Sequence, residues 1–374
     1  MSAESAGSWE WRAPDRPYTV GAEEELMILD GETLGLAGES GRVLEALPEH
    51  LRARVTTETH AGALEIATGV HETAAAAADE LRSLRLRVAA SLADLGLRAA
   101  SAGTHPLALG LVTALSDEPR YRHLREKMGE LTRREPTFGL HVHVGLPDPD
   151  AAIRTFDRMR IWIPLVIGLA ANSPFWRARD SGLACSRTFV FDAFPRTGLP
   201  RAFGAYAAYA EAIGALIEAR AIEDPSFIWW DLRLKPDLGT IEIRAMDAQR
   251  TVGDTAALIA LVQCLVRRCA EDPAPCVDPP PEILAENRFL AMRDGPRARL
   301  IDGRERERLA LILERVLEDC RPHARELGCA GELAGVERLV LGGGAAYQRE
   351  AARLMGVEGV PTALADCYTG GCSP

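Results

Sequence analysis

Apolar and polar side chains fall into two rhythms along this chain. Short stretches alternate with a period of two, and longer ones repeat every three to four residues, the spacings of half-buried strands and amphipathic helices. The first rhythm predicts strands over 19–29, 54–59, 63–68, 97–102, 138–145, 188–191, 229–234 and 240–246. The second predicts helices over 72–95, 150–171, 203–222, 254–271, 281–292, 304–317 and 345–355. The first of these helices stops at Gly96, a residue suited to the left-handed turn that ends a helix. A proline-rich stretch over 272–281 is the best internal boundary, and beyond it the pattern is almost wholly helical. The expected architecture is α+β: one domain over 15–355 with a helical layer from about 280, flanked by irregular tails at 1–14 and 357–374.

Four of the predicted strands carry side chains that a sheet rarely tolerates together. Gly21-Ala22-Glu23-Glu24-Glu25 places Glu23 and Glu25 on one face and turns Glu24 away. Gly139-Leu140-His141-Val142-His143 does the same for His141 and His143, and Ile241-Glu242-Ile243-Arg244 for Glu242 and Arg244. Val142, Val144, Ile241 and Ile243 supply the apolar, β-branched opposite face. Glu58 and Glu65 would lie on opposite faces of a straight strand, but the His60-Ala61-Gly62 interruption allows a bend or tight connection that returns them to one side. Alone, any one pair reads as satisfied sheet histidines or a cross-strand salt bridge. Four such strands together read as a floor of carboxylates, imidazoles and an arginine, which is costly unless cations occupy it. Hard cations such as Mg²⁺ or Mn²⁺ take oxygen ligands with an occasional imidazole, so the floor points to a metal–phosphate site.

Composition narrows the partners. The net charge of −11 argues against general nucleic-acid binding, yet leaves ATP open because bound cations invert the field of a site. The polar, acidic residues 1–17 show no signal peptide, and the longest apolar run, 161–171, is interrupted by Pro164 and too short for a bilayer. These features predict a cytoplasmic protein without membrane partners. Eight cysteines show no paired zinc spacing, and most are expected as reduced thiols. With lysine only at Lys127 and Lys235, no P-loop exists; Gly-x-Ser-x-Gly and His-Glu-x-x-His motifs are also missing. Gly342-Gly343-Gly344 reads as a turn.

In this order and spacing, the chain resembles the glutamate–cysteine ligase type 2 family of carboxylate–amine ligases. The matching pieces are the acid strand 21–25, Thr57-Glu58 through Glu65-Ile66, Ala102-Gly103-Thr104-His105-Pro106, Arg120-Tyr121-Arg122, the histidine strand 139–145, and 240–244. The resemblance implies the glutamine synthetase-like catalytic fold: a curved, mainly antiparallel sheet with outer helices and a site on its concave face. ATP would enter one end and the two substrates meet at the other, with two or three divalent ions (Mg²⁺ or Mn²⁺) bridging acids and triphosphate. By motif position, Glu25, Glu58 and Glu65 would ligate one metal, and Glu23, His141 and Glu242 the metal nearest the γ-phosphate. His143 and Arg244 would face the phosphates. Relatives make a homodimer a reasonable expectation.

The activity so implied is ATP-dependent joining of an amino-acid carboxylate to an amine through an acyl phosphate, giving an amide or γ-glutamyl bond. Arg187, Arg233 and Arg122 are candidates to clamp a substrate carboxylate. His105 and Tyr121 match family positions at the substrate end. Trp229 and Trp230 alternate faces, so at most one looks into the site, with Trp230 taken as the candidate. Asp231 and Lys235 read as structural. Alternatives are a phosphotransferase resembling guanidino kinases and a nucleotide-binding protein without turnover.

Overall fold

A computed structural model describes residues 9–109, 114–275 and 277–370. Its centre is a seven-stranded sheet: β1 (Val20–Asp30), β2 (Val55–Thr57), β3 (Ala63–Ala67), β4 (Leu97–Ala100), β5 (Gly139–Gly145), β6 (Leu232–Lys235) and β7 (Thr240–Asp247). The spatial order is β6–β7–β5–β1–β3–β2, and every pairing is antiparallel. Because β1 is long, its first half pairs with β5 and its second half with β4.

One face of this sheet is sealed by helices. Val20, Ala22, Leu140, Val142, Val144, Ile241 and Ile243 are fully buried in a core shared with the helices Pro149–Met159, Ile163–Ala170 and Val252–Glu271. The last of these is apolar almost all round, as a helix enclosed on every side must be, and Thr251 caps it by accepting the Asp254 N–H. Glu24 points to this covered side. There it meets Arg85 of the helix Ala74–Asp94, which donates from Nε at 2.7 Å and from a second guanidinium nitrogen, while Thr255 donates at 3.2 Å.

Several expected elements differ. Residues 188–191 lie in a helix, Ser186–Phe191, although their β-branched and aromatic run has strand propensity. Helical spacing brings Arg187, Val190 and Phe191 onto one face, which lines the main cavity, so tertiary placement overrides propensity. The 150–171 helix is broken by the tight turn Arg160–Trp162 just before Pro164. Residues Arg299–Asp302 and Glu305–Arg308 form a hairpin, and the helix expected from 304 runs over Leu309–Glu326. The 357–374 stretch, expected to be irregular, contains the helix Val360–Tyr368, whose Val360 and Leu364 pack beneath β1 and β4. Cys185, Cys264, Cys269, Cys320 and Cys329 are free and buried, and Cys367 is disulfide-bonded. Among the described residues no helix is long and apolar enough to cross a membrane.

Candidate active site

Strand register assembles the uncovered face rung by rung. In the first rung Arg233 lies opposite Glu242, Glu242 opposite His143, and His143 opposite Gly21. In the second, His141 lies opposite Glu23. In the third, Glu25 lies opposite Glu65 and Glu65 opposite Thr56. Glu58 follows Thr56 by two residues on the same hairpin, so the turn restores it to the face of Glu65. Between Ile243 and Met246 the β5–β7 register slips by one residue, a bulge of the kind that re-aims a side chain, and Arg244 sits in it.

The resulting contacts are close. His141 Nδ1 lies 3.2 Å from Glu23 and 3.9 Å from Glu242, and His141 Nε2 lies 3.9 Å from Glu25. His143 Nε2 is 3.3 Å from Glu23 and 3.8 Å from Glu242. Arg233 Nε donates to Glu242 at 2.5 Å, and Arg244 donates to its other oxygen. The Gly139 N–H donates to Glu25 at 2.5 Å. A Cβ at Gly139 would strike the Arg187 guanidinium, so glycine is needed for this close approach.

Above the floor opens a cavity of about 570 Å³. Glu23, Glu25, Glu58, Glu65, His141, Arg187, Arg233, Arg244 and Tyr121 line it, while Glu242 and His143 lie buried just beneath. Three sequence candidates sit elsewhere. His105 is buried with both ring nitrogens engaged, by the Leu34 carbonyl at 2.9 Å and the Leu107 N–H at 3.2 Å. Arg122 is exposed and paired with Asp117 at 3.3 Å. Trp230 packs against Phe203 and Tyr209, leaving Trp229 to face the cavity.

Residues missed by the sequence reading complete the walls. Phe191, Phe194, Phe227 and Trp229 form an aromatic side, with Arg120, Arg134, Glu118 and Glu135 on the rim and wall. Arg120 belongs to the recognised Arg-Tyr-Arg piece, where two arginines two positions apart point to different sides of one helix and only one faces inward. Arg134 and Glu135 precede the histidine strand within a short turn that carries no periodic signal. Arg187 Nε, Arg244 Nε, Glu118 Oε2 and Glu135 Oε2 find no hydrogen-bond partner among the described residues.

The electrostatics show what the floor lacks. Burial and then the neighbouring Glu25 push the Glu58 carboxyl up to about 8. Burial together with Glu58, Glu23 and Glu25 raises Glu65 well above the usual carboxylate range. Glu242 goes the other way: burial opposes its charge, but Arg233 and Arg244 outweigh it and hold the carboxyl low. Burial pulls the His141 imidazole below the ordinary histidine range, with Arg244 acting in the same sense. Two groups, Glu23–His141–Glu242 and Glu25–Glu65–His141, each bring ligand atoms within 4.8 Å of one another. Oxygen-rich donors with one shared imidazole fit a hard divalent ion, and the raised Glu58 and Glu65 carboxyls mark where acid repulsion remains for it to offset.

The profile of glutamate–cysteine ligase family 2 matches residues 19–362. The chain belongs to that family. A Rubrobacter xylanophilus protein that carries the name of glutamate–cysteine ligase 2-1 is 40% identical over 345 residues, covering 91% of this chain and 92% of its own length. A Gloeobacter violaceus protein with the name of glutamate–cysteine ligase 2 is 35% identical over 339 residues, covering 88% of this chain and 91% of its own. Among solved structures, a Francisella tularensis glutamate–cysteine ligase in complex with AMP superposes with a TM-score of 0.70 at 12% identity, covering 96% of this chain and 90% of that one. A bifunctional glutathione synthetase from Pasteurella multocida gives 0.69 at 13%, covering 94% of this chain and 52% of that one. At such identities the likeness is one of fold. Membership of glutamate–cysteine ligase family 2 makes the chain an ATP-dependent ligase that forms carbon–nitrogen bonds.

Proposed function

We propose that this ligase uses ATP to convert a substrate carboxylate, with glutamate the first candidate, into an acyl phosphate that an amine then attacks. A carboxylate resists amines because its oxyanion is a poor leaving group, and phosphorylation supplies a better one. The observation that carries the reading is the convergence of two ligand groups, joined through His141, on the floor of one cavity.

Glu25, Glu58 and Glu65 would hold one divalent ion and Glu23, His141 and Glu242 another. Bound there, the ions would offset the repulsion among these acids and neutralise phosphoryl charge. Arg244, re-aimed by its bulge, keeps Nε free and would donate to the transferred phosphoryl group, with His143 beside it. Arg187, whose Nε is also free, and Arg134, which makes no ion pair among the described residues, would grip substrate carboxylates. An acid with one free oxygen, Glu118 or Glu135, would receive the ammonium proton before attack. Arg233 braces Glu242, and Tyr121 braces the strand before Glu58 through its 2.6 Å hydrogen bond to the Thr57 carbonyl.

The names carried by the relatives make cysteine the first amine to try within a broad panel. Incubation with Mg²⁺, ATP, glutamate and the panel should yield ADP, phosphate and an amide identified by mass spectrometry. Release of AMP and pyrophosphate would contradict the acyl phosphate. A stable phosphorylated product would point to phosphotransfer instead.

A further inference from the structure

We infer that Arg288, in the C-terminal layer, is a positioning residue that keeps Arg187 and Arg244 available to the substrates. It lies on the helix Pro281–Asp294, away from every motif that marks the site in the sequence. Its guanidinium is buried and meets two carboxylates at once. Nε and Nη2 reach Asp231 at 2.6 and 3.1 Å, and Nη1 and Nη2 reach Asp192 at 2.6 and 2.8 Å.

Both partners hold pieces of the cavity wall. Asp192 ends the short helix that carries Arg187 and Phe191, accepting nothing from that helix while its own N–H donates to the Thr188 carbonyl at 2.9 Å. An acid at a helix C-terminus faces the negative end of the helix dipole, so its presence calls for a cation. Asp231 sits between Trp230 and β6, and its carbonyl accepts the Arg244 N–H at 2.8 Å. Arg187, Arg244, Asp231 and Arg288 all line one small cavity of about 10 Å³ behind the main one. The two arginines of the site are therefore the other cations around Asp231, and Arg187 shares the short helix that Asp192 ends. With Arg288 satisfying all four carboxylate oxygens, the site arginines are not drawn backward. Without it, the buried Asp231 and the partly exposed Asp192 would compete with the substrates for them.

The kinetic half of this inference rests on the proposed ligase reading, so the test has a readout that does not. In Arg288→Met, the KM for the carboxylate substrate should rise and kcat fall, lowering kcat/KM about 100-fold, as befits a buried pair left half-made. In Arg288→Lys, which keeps the charge but cannot span four oxygens, the KM rise should be about tenfold. The triple variant Asp192→Asn, Asp231→Asn, Arg288→Met removes the competing anions and should recover at least about tenfold over Arg288→Met. A merely structural role predicts unchanged KM, activity that follows the folded fraction, and no recovery in the triple variant; that pattern would overturn the inference. Crystal structures of Arg288→Met and Arg288→Lys decide it even if the wild type proves inactive on every amine, an outcome that would count against the ligase reading alone. Arg187 or Arg244 turned toward Asp192 and Asp231 in either variant supports the inference, and both unmoved in each that folds refutes it.

Discussion

Three consecutive glutamates show how two faces of one sheet differ. Glu24 looks into the helix-covered side and finds a complete partner: Arg85 contributes two hydrogen bonds and Thr255 a third. Glu23 and Glu25 look the other way, into a cavity they share with Glu58 and Glu65, where Glu65 meets the charge of Glu58, Glu23 and Glu25 with Arg244 opposing them. The covered face has settled its charges internally and serves stability. The open face has not: burial, and then repulsion between neighbouring acids, raises the protonation range of two of its carboxyls. Unmet charge, rather than charge itself, separates a functional carboxylate from a structural one.

Substitutions on the two faces should therefore behave in opposite ways. Glu65→Gln should lower turnover by about 1000-fold while leaving the metal-free protein as stable as before or more so, since a repelling buried acid is removed. Steady-state kinetics and thermal unfolding in a chelator check this, and a destabilised but active variant would break the comparison. Glu24→Gln should do the reverse, costing about 3–5 kcal/mol by stranding buried Arg85, with near-normal turnover per folded molecule. Denaturant unfolding measures that cost.

Titration sharpens the contrast further. Glu58 binds its proton up to about pH 8 in the folded protein but only up to the ordinary carboxylate range when unfolded. Over that window the folded state holds the extra proton, so metal-free stability should fall as pH rises from about 4.5 to about 8, with Glu65 adding in the same direction. Added Mg²⁺ should reverse the fall and release protons at neutral pH, which melting curves and calorimetry in two buffers would register. A flat metal-free profile would count against the uncompensated floor. Smaller effects should mark the rim. Arg134→Ala should raise the KM for a carboxylate substrate about tenfold, the worth of one charged hydrogen bond. Arg122→Ala, at an exposed pair, should change stability by less than about 0.5 kcal/mol and leave kinetics unchanged.

The sequence carried the floor because a period of two is hard to disguise. Glu23 and Glu25, His141 and His143, and Glu242 and Arg244 each share a face by spacing alone, and register then stacks them into rungs. The Glu58–Glu65 relation needed a hairpin that composition only hinted at. The walls were far less readable. In the Ser186–Phe191 segment, strand-forming residues are folded as a helix by what surrounds them. Between Arg120 and Arg122, and between Trp229 and Trp230, the residue type was right but the phase was set by packing partners distant in sequence. Arg134, in its short turn, and Arg288, in the C-terminal layer, carry no pattern of their own; contact across the fold is what places them.

The most direct measurement is anomalous diffraction from crystals grown with Mn²⁺ and a non-hydrolysable ATP analogue. Two ion peaks on the open face are predicted, one among Glu25, Glu58 and Glu65 and one among Glu23, His141 and Glu242, with the terminal phosphate against the second and Arg244 within hydrogen-bond reach. Ions bound elsewhere, or a nucleotide seated without any ion on this face, would contradict the account.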